Sequence, residues 1–149
     1  MNWILKKFEE LSIKEIYKIL QMRNEVFVFE QECPYQDCDG KDEESYHLFL
    51  EYNGQILSYL RIIPKGISYD EISIGRVLVC KERRKKGLAR EMMVIAIDFI
   101  KTKLNEKSIR ISAQQYLVDF YKQLGFKEVS DIYLEDGIEH VEMLYSEWL

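Results

Sequence analysis

The spacing of apolar positions changes several times along the chain, and each change marks an expected element. "NWILKKF" reads as a first strand. Ser12 then stands where a helix N-cap belongs, with Glu15 in the capping-box position and Ile13, Ile16, Tyr17, Leu20 and Phe27 recurring at helical spacing, so a helix is expected to run to about Glu30. "QECPYQDCDGKDEES" is polar and acidic and holds a proline and a glycine, which is loop chemistry. "YHLFLEYNGQILSYLRII" divides into two β-rich runs about Asn53-Gly54, a pair that tolerates the left-handed backbone of a tight hairpin, and Pro64 and Gly66 close the second run.

"ISIGRVLVC" is a further short strand, interrupted only by Gly75 and Arg76. The helix after it carries Leu88, Met92, Ile95, Ala96 and Phe99 on one stripe, widened by Ala89, Met93, Ile97 and Ile100, so burial along much of its girth is expected. "SIRISA" is a strand; "YLVDFYKQLGF" places Leu117, Phe120, Tyr121 and Leu124 on one helical face and ends at Gly125, where a left-handed residue stops a helix. The last segment reads as two strands about Asp136-Gly137. The order β-α-β-β-β-α-β-α-β-β predicts an α/β domain with a mixed sheet.

Composition narrows the picture. A chain of 149 residues with 47% hydrophobic positions suits one compact domain, and with two prolines and no Gly/Ser tract it offers no linker, so residues 1–149 read as a single domain. No apolar run approaches the roughly 20 residues of a membrane span, and the N-terminus lacks an uninterrupted apolar core, which together predict a cytoplasmic protein with no membrane partner. Three cysteines suit a reducing compartment. Cys33, Cys38 and His47 fit no common zinc spacing, so no metal is expected. A formal net charge of -5 argues against general nucleic-acid binding.

Against that acidic background one segment stands out. "VCKERRKKGLAREMM" places Lys81, Arg83, Arg84, Lys85, Lys86 and Gly87 between a strand and an apolar helix. Successive amides at a helix N-terminus, where the macrodipole adds about half a positive charge, cradle phosphate oxygens. Gly87 and Ala89 keep bulk away from those amides, and the cations can neutralise an outer phosphate. The loop lacks the Gly-Lys-Ser/Thr ending of a nucleotide-hydrolase P-loop. A solvated basic turn is the alternative reading of the same residues.

"RKKGLA" after "IGRVLVC" resembles the Arg/Gln-x-x-Gly-x-Gly/Ala pyrophosphate loop of the GCN5-related N-acetyltransferases (GNAT), and "FYKQLGF" resembles a later helix of that superfamily. "RNEVFVFEQECPYQDCDGKD", "IGRVLV" and "YLEDGIEHVEM" are similar to its ElaA-like branch, so the likeness runs from the first helix to the last hairpin. It implies a mostly antiparallel sheet of about seven strands flanked by helices and splayed at an acetyl-CoA site. It further implies that the backbone of Val77, Leu78 and Val79 binds the pantetheine arm, with the N–H near Leu78 polarising the thioester. The amides of Arg84, Lys85, Lys86, Gly87, Leu88 and Ala89 would hold the pyrophosphate. An amine would attack the thioester of acetyl-CoA directly, and Tyr121 would protonate the departing thiolate.

Glu30, His140 and a water-mediated path are the candidates for removing the acceptor's proton, with His47 a further histidine in range. A tyrosine or histidine packed for structure alone is the competing reading of Tyr121 and His140. Asp37, Asp39, Asp42, Glu43 and Glu44 follow the first helix, where this superfamily builds its acceptor wall, and as a negative rim they would attract a cationic amine; an ordinary solvated loop is the alternative. Glu139 stands where the branch pattern has proline. The expected activity is acetyl transfer from acetyl-CoA to a primary amine of a small molecule or protein. A non-catalytic acyl-CoA sensor and a nucleic-acid patch on the same cations are the competing classes, and a homodimer is neither required nor excluded.

Overall fold

The computed structural model describes residues 1–146. Its elements are β1 (Asn2–Lys7), α1 (Ile13–Arg23), β2 (Tyr46–Tyr52), β3 (Gln55–Ile63), β4 (Ile72–Val79), α2 (Leu88–Thr102), β5 (Ser108–Gln114), α3 (Val118–Gln123), β6 (Phe126–Glu128), β7 (Tyr133–Glu135) and β8 (Ile138–Ser146). The strands form an 8-stranded sheet in the order β1-β2-β3-β4-β5-β8-β6, with β7 also paired to β8. All these pairings are antiparallel except β4 with β5.

Alternate residues of the central strands feed two cores, one on each face of the sheet. Leu48, Leu60 and Ile62 pack with Met92, Met93, Ala96 and Ile100 of α2 and with Val118 and Tyr121 of α3. Their neighbours Phe49 and Tyr59 pack on the other face with Ile19 of α1, Val26 and Leu78. β3 therefore reads as an almost continuous apolar run, buried from Ile56 onward. Met92, Met93, Ala96 and Ile100 are wholly buried, and each large side chain among them contributes about 1.5–3 kcal/mol by burial. That burial fixes α2, and with it the loop at its N-terminus, against the sheet.

Both predicted hairpin turns form. Asn53 and Gly54 take φ of 50° and 75°, and Asp136 and Gly137 take 51° and 77°, each pair spanning a two-residue connection. The strand before Asp136 is broken into β6 and β7 because the Ser130 hydroxyl, in place of a backbone carbonyl, accepts the amide of Glu142. The eighth strand comes from that break. Gly125, at φ 105°, ends the short α3 as the sequence suggests.

The first helix departs from its expected face. Ser12 caps it and Glu15 closes the capping box. Ile13 and Tyr17, however, are 87% and 70% exposed, while Ile19, Arg23 and Val26 face inward. A periodicity count scores arginine as polar, so it rotates the expected stripe away from a face that buries one. α-Helical winding stops at Arg23, and a π-helical turn carries Asn24–Glu30 onward. Wider winding of this kind re-aims side chains and recurs at functional sites.

Candidate active site

β4 and β5 are held side by side only through Ile72–Ile109 and Ser73–Arg110. Beyond that point they part. On the β3 side Tyr59 opposes Leu78 and Arg61 opposes Gly75, so β4 carries an extra residue in a bulge, and Arg76 sits at φ 53°, in the left-handed region that costs a side chain about 1–2 kcal/mol. The bulge bends β4 and turns the backbone of its second half away from β5, where its polar groups lack a strand partner. A cleft of about 980 Å³ fills the gap, with Val77, Leu78 and Val79 on one wall and Ile111, Ser112 and Gln114 of β5 on the other.

The basic loop stands at one end of this cleft. Lys85 has φ 64° and Gly87 φ 81°, and Gly87 is the N-cap of α2 with no side chain capping the amides that follow it. The first helical bond across the cap runs from Glu91 N–H to Gly87 O, so the N–H groups of Leu88, Ala89 and Arg90 have no intrahelical acceptor. These free donors and the helix dipole make an anion seat. Nothing lies within 4 Å of the position a Cβ on Gly87 would take. Lys85 and Lys86 are exposed beside it.

Arg84 is engaged within the fold. Its Nε donates to the Val79 carbonyl at 2.9 Å and its Nη2 to Glu30 at 2.7 Å, tying the loop to the end of β4 and to the π-helical turn. Arg83 places its guanidinium 5.8 Å from the centroid of the Tyr52 ring. Lys85 and Lys86 keep their side chains exposed at the turn before α2.

Tyr121, Glu30 and His140 also line the cleft. Tyr121 is held in α3 by edge contacts to Phe120 and Phe126 at 5.1 and 5.9 Å between ring centroids. Burial, reinforced by Tyr116, pushes its hydroxyl well above the ordinary tyrosine range, so it stays protonated near neutral pH. His140 is 7% exposed; its Nδ1 lies 2.7 Å from the Ile138 carbonyl, which places a proton on Nδ1, and its Nε2 lies 3.5 Å from Glu135 Oε2. Glu30 already accepts from Arg84. Of the two side-chain base candidates, Glu30 is paired with an arginine and His140 faces the Glu135 carboxylate.

An acetyltransferase (GNAT) domain model matches residues 9–146. The chain belongs to the GNAT family. It is 40% identical over 145 residues to a UPF0039 protein of Schizosaccharomyces pombe, covering 96% of this chain and 95% of that one. It also superposes on the crystal structure of an acyl-CoA N-acyltransferase from Pseudomonas aeruginosa with a TM-score of 0.92 and 36% identity, covering 98% of this chain and 100% of the other. The Escherichia coli ElaA crystal structure gives a TM-score of 0.91 and 33% identity, covering 98% of this chain and 100% of that one. A GNAT fold of this kind supports acyl-CoA-dependent acyl transfer.

Within this GNAT domain the acidic loop is not a negative rim. Asp37, Asp39 and Asp42 turn inward onto three arginines. Arg23, fully buried, donates to Asp37 at 2.8 Å and to Asp42 at 2.6 Å; Arg61 pairs with Asp39 and with Asp42, and Arg76 reaches Asp37 at 2.8 Å. Charges in this cluster cancel, with Asp37 buried and Asp42 half-buried, while Asp39 stays exposed along with Glu43 and Glu44. His47 belongs to the same cluster. Its Nδ1 faces the Tyr59 hydroxyl at 2.6 Å and its Nε2 the Asp42 carbonyl at 2.9 Å, and burial, aided by Arg23 and Arg61, holds it below the ordinary histidine range. That removes it as a base and as a metal ligand.

Several cleft residues escaped the sequence reading. Gln31 and Gln114 bond across the cleft at 3.3 Å, joining the segment after the π-helical turn to β5. The Cys33 thiol donates to the Asp136 carbonyl at 3.1 Å and fastens the β7–β8 turn. Glu135 lies diagonally across that hairpin from His140, since Glu135 opposes Ile138 and Tyr133 opposes His140. Once a two-residue turn at Asp136-Gly137 is assigned, this diagonal follows from the pleat alone. Glu139 opposes Leu134 in undisturbed register, so the glutamate at the expected proline position leaves the hairpin intact.

Proposed function

We propose that the protein is an acetyl-CoA-dependent N-acetyltransferase acting on a primary amine. What supports the reading is that the His140 imidazole and Tyr121 both line the cleft that the separation of β4 and β5 opens, with a helix N-terminal anion seat at its end.

In this mechanism the pyrophosphate of acetyl-CoA lies on the amides of Arg84 to Ala89, and Lys85 and Lys86 screen its charge. The pantetheine arm completes the β4 edge along Val77, Leu78 and Val79 as an added strand would. A backbone N–H near Leu78 polarises the thioester oxygen. His140 Nε2 takes one proton from the bound ammonium, and the freed lone pair attacks the thioester carbon. The tetrahedral intermediate then expels the thiolate, which takes the Tyr121 proton. The second proton leaving the new amide nitrogen restores Tyr121 through water, and His140 releases its own to solvent. An ammonium and acetyl-CoA thus yield an amide, CoA thiol and one proton.

The test is release of free CoA thiol from acetyl-CoA across a panel of primary amines, alongside thermal stabilisation by acetyl-CoA and CoA. Amine-dependent thiol release is the expected result. Stabilisation by acetyl-CoA without thiol release from any amine would instead make the chain an acyl-CoA sensor. Stabilisation by duplex DNA that disappears with salt would move the basic loop to nucleic-acid binding.

A further inference from the structure

Lys41 stands among carboxylates in the chain and pairs with none of them. Asp39, Asp42, Glu43 and Glu44 are its near neighbours in "DGKDEES". Its ammonium turns instead to the Ser68 hydroxyl, Nζ donating to Oγ at 2.9 Å, and no carboxylate among the described residues forms an ion pair with it. The cluster beside it explains why. Arg23, Arg61 and Arg76 bind Asp37, Asp39 and Asp42 three against three, while Glu43 and Glu44 point to solvent. Lys41 is therefore one positive charge beyond that balance, on a half-buried side chain.

Lys41 and Ser68 both line the cleft between β4 and β5, as do Arg61, Tyr69 and Ser73. The Lys41 amide and Arg61 both donate to Asp39 Oδ1, and Arg61 opposes Gly75 of β4. Gly75 precedes Val79 by four residues, roughly 13 Å of extended strand, so this group is set well apart from the anion seat that follows Val79. Its polar atoms are donors. Lys41 Nζ spends one of its hydrogens on Ser68, and Ser68 Oγ, having accepted it, keeps its own hydrogen to give. Arg61, 2% exposed, holds a buried Nε–H with no acceptor among the described residues. A buried donor without an acceptor and a half-buried ammonium without a counter-charge both carry a desolvation cost that an anion would offset. Glu135 and Asp136 line the cleft as well, on the β7–β8 turn, and neither forms an ion pair with Lys41.

We infer that Lys41 and Ser68 form a carboxylate subsite in the cleft, distinct from the phosphate seat at α2, and that one of the molecules meeting there carries a carboxylate group. One ammonium and one hydroxyl match the single charge and two oxygens of a carboxylate, and Arg61 Nε–H is the further donor this wall offers. The subsite rests on the acyl-CoA reading above for the place of CoA in the cleft, and it adds a recognition element that reading does not contain. The carboxylate belongs either to the amine acceptor or to the far end of the acyl chain, and its chemistry at Lys41 is the same in both.

Isosteric pairs, titrated by calorimetry into the full chain, separate the two sources. With CoA bound, 4-aminobutyrate and 6-aminohexanoate are set against butylamine and hexylamine; with no amine added, succinyl-CoA is set against butyryl-CoA. Within each pair a carboxylate replaces a methyl group, and the two amine lengths sample the reach to Lys41. The carboxylated member of the amine pairs or of the acyl-CoA pair is expected to bind at least about tenfold tighter, Lys41→Met to remove that margin and Lys41→Arg to restore part of it. Ser68→Ala, which deletes one hydroxyl, is expected to lower the same margin and keeps the test valid should Lys41→Met destabilise the fold. A margin in the amine pairs assigns the carboxylate to the acceptor, and one in the acyl-CoA pair assigns it to the acyl chain. Equal binding within every pair, or a margin that survives both Lys41→Met and Ser68→Ala, overturns the proposal and leaves Lys41 as a tether between the acidic loop and the segment before β4. Thiol release distinguishes the subsite from the reading it rests on. Amine-dependent release with no carboxylate margin removes the subsite and keeps the reaction; a Lys41-dependent margin in a protein that acetylates no amine keeps the subsite and removes the reaction.

Discussion

Replacing Arg23 with methionine tests whether the arginine–aspartate cluster holds the loop after the first helix onto the sheet. Arg23 is wholly buried and makes three hydrogen bonds, to Asp37 Oδ2, Asp42 Oδ1 and the Asp37 carbonyl, at 2.8, 2.6 and 3.1 Å. Methionine fills much of the space and supplies none of these donors. Three aspartates then face two arginines, Arg61 and Arg76, and one buried negative charge is left without compensation. Breaking a buried ion pair from one side costs about 3–5 kcal/mol, a large part of the roughly 5–15 kcal/mol that stabilises a whole domain. At roughly 2–4 °C per kcal/mol for a chain of this size, the melting temperature falls by about 6–20 °C. The double variant Arg23→Met/Asp42→Asn restores charge balance and recovers part of the loss, so the two substitutions are non-additive. Thermal and urea unfolding of the four proteins in the cycle measure this. A fall of less than about 2 °C for Arg23→Met, or a double variant less stable than the single one by the full cost of Asp42→Asn alone, would refute the argument.

Three further predictions use other parts of the fold. Burial raises the Asp39 and Asp42 carboxyls, but hydrogen bonds and charge from Arg61 and Arg23 outweigh it and hold both below the ordinary range; stability is therefore full above about pH 4 and declines as pH falls further, read as urea midpoints from pH 6 to 3. Gly87→Ala and Gly87→Glu both put a side chain at φ 81° in open space, costing about 1–2 kcal/mol, so both fold. Only the glutamate variant is expected to lose CoA binding by calorimetry, because it adds negative charge where phosphate should lie; retained affinity would remove the loop from the CoA site. Tyr121→Phe keeps the ring contacts with Phe120 and Phe126, so its melting temperature stays close to wild type while kcat for thiol release falls at least roughly tenfold, and full activity would return Tyr121 to a packing role.

Local sequence was enough for whatever depends on neighbours along the chain. Ser12 with Glu15 fixed the start of α1, Asn53-Gly54 and Asp136-Gly137 fixed two hairpins, and Gly125 fixed the end of α3, because caps and tight turns are decided by a few adjacent dihedrals. The basic loop was legible for the same reason, since a strand, a glycine and a helix N-terminus lie within a few residues of each other. Tertiary structure decided which charges are free. Asp37, Asp39 and Asp42 read as an open acidic rim until Arg23, Arg61 and Arg76 arrive from α1, β3 and β4 to neutralise them, and the pairing of Arg84 with Glu30 was likewise not legible along the chain. The tertiary fold likewise brought Glu135, one acid among many in the sequence, to 3.5 Å from His140 Nε2. A side chain's charge is written in the sequence, whereas its partner is set by distances between elements far apart along the chain, and at low dielectric that partner determines whether the charge is spent on the fold or left for a ligand.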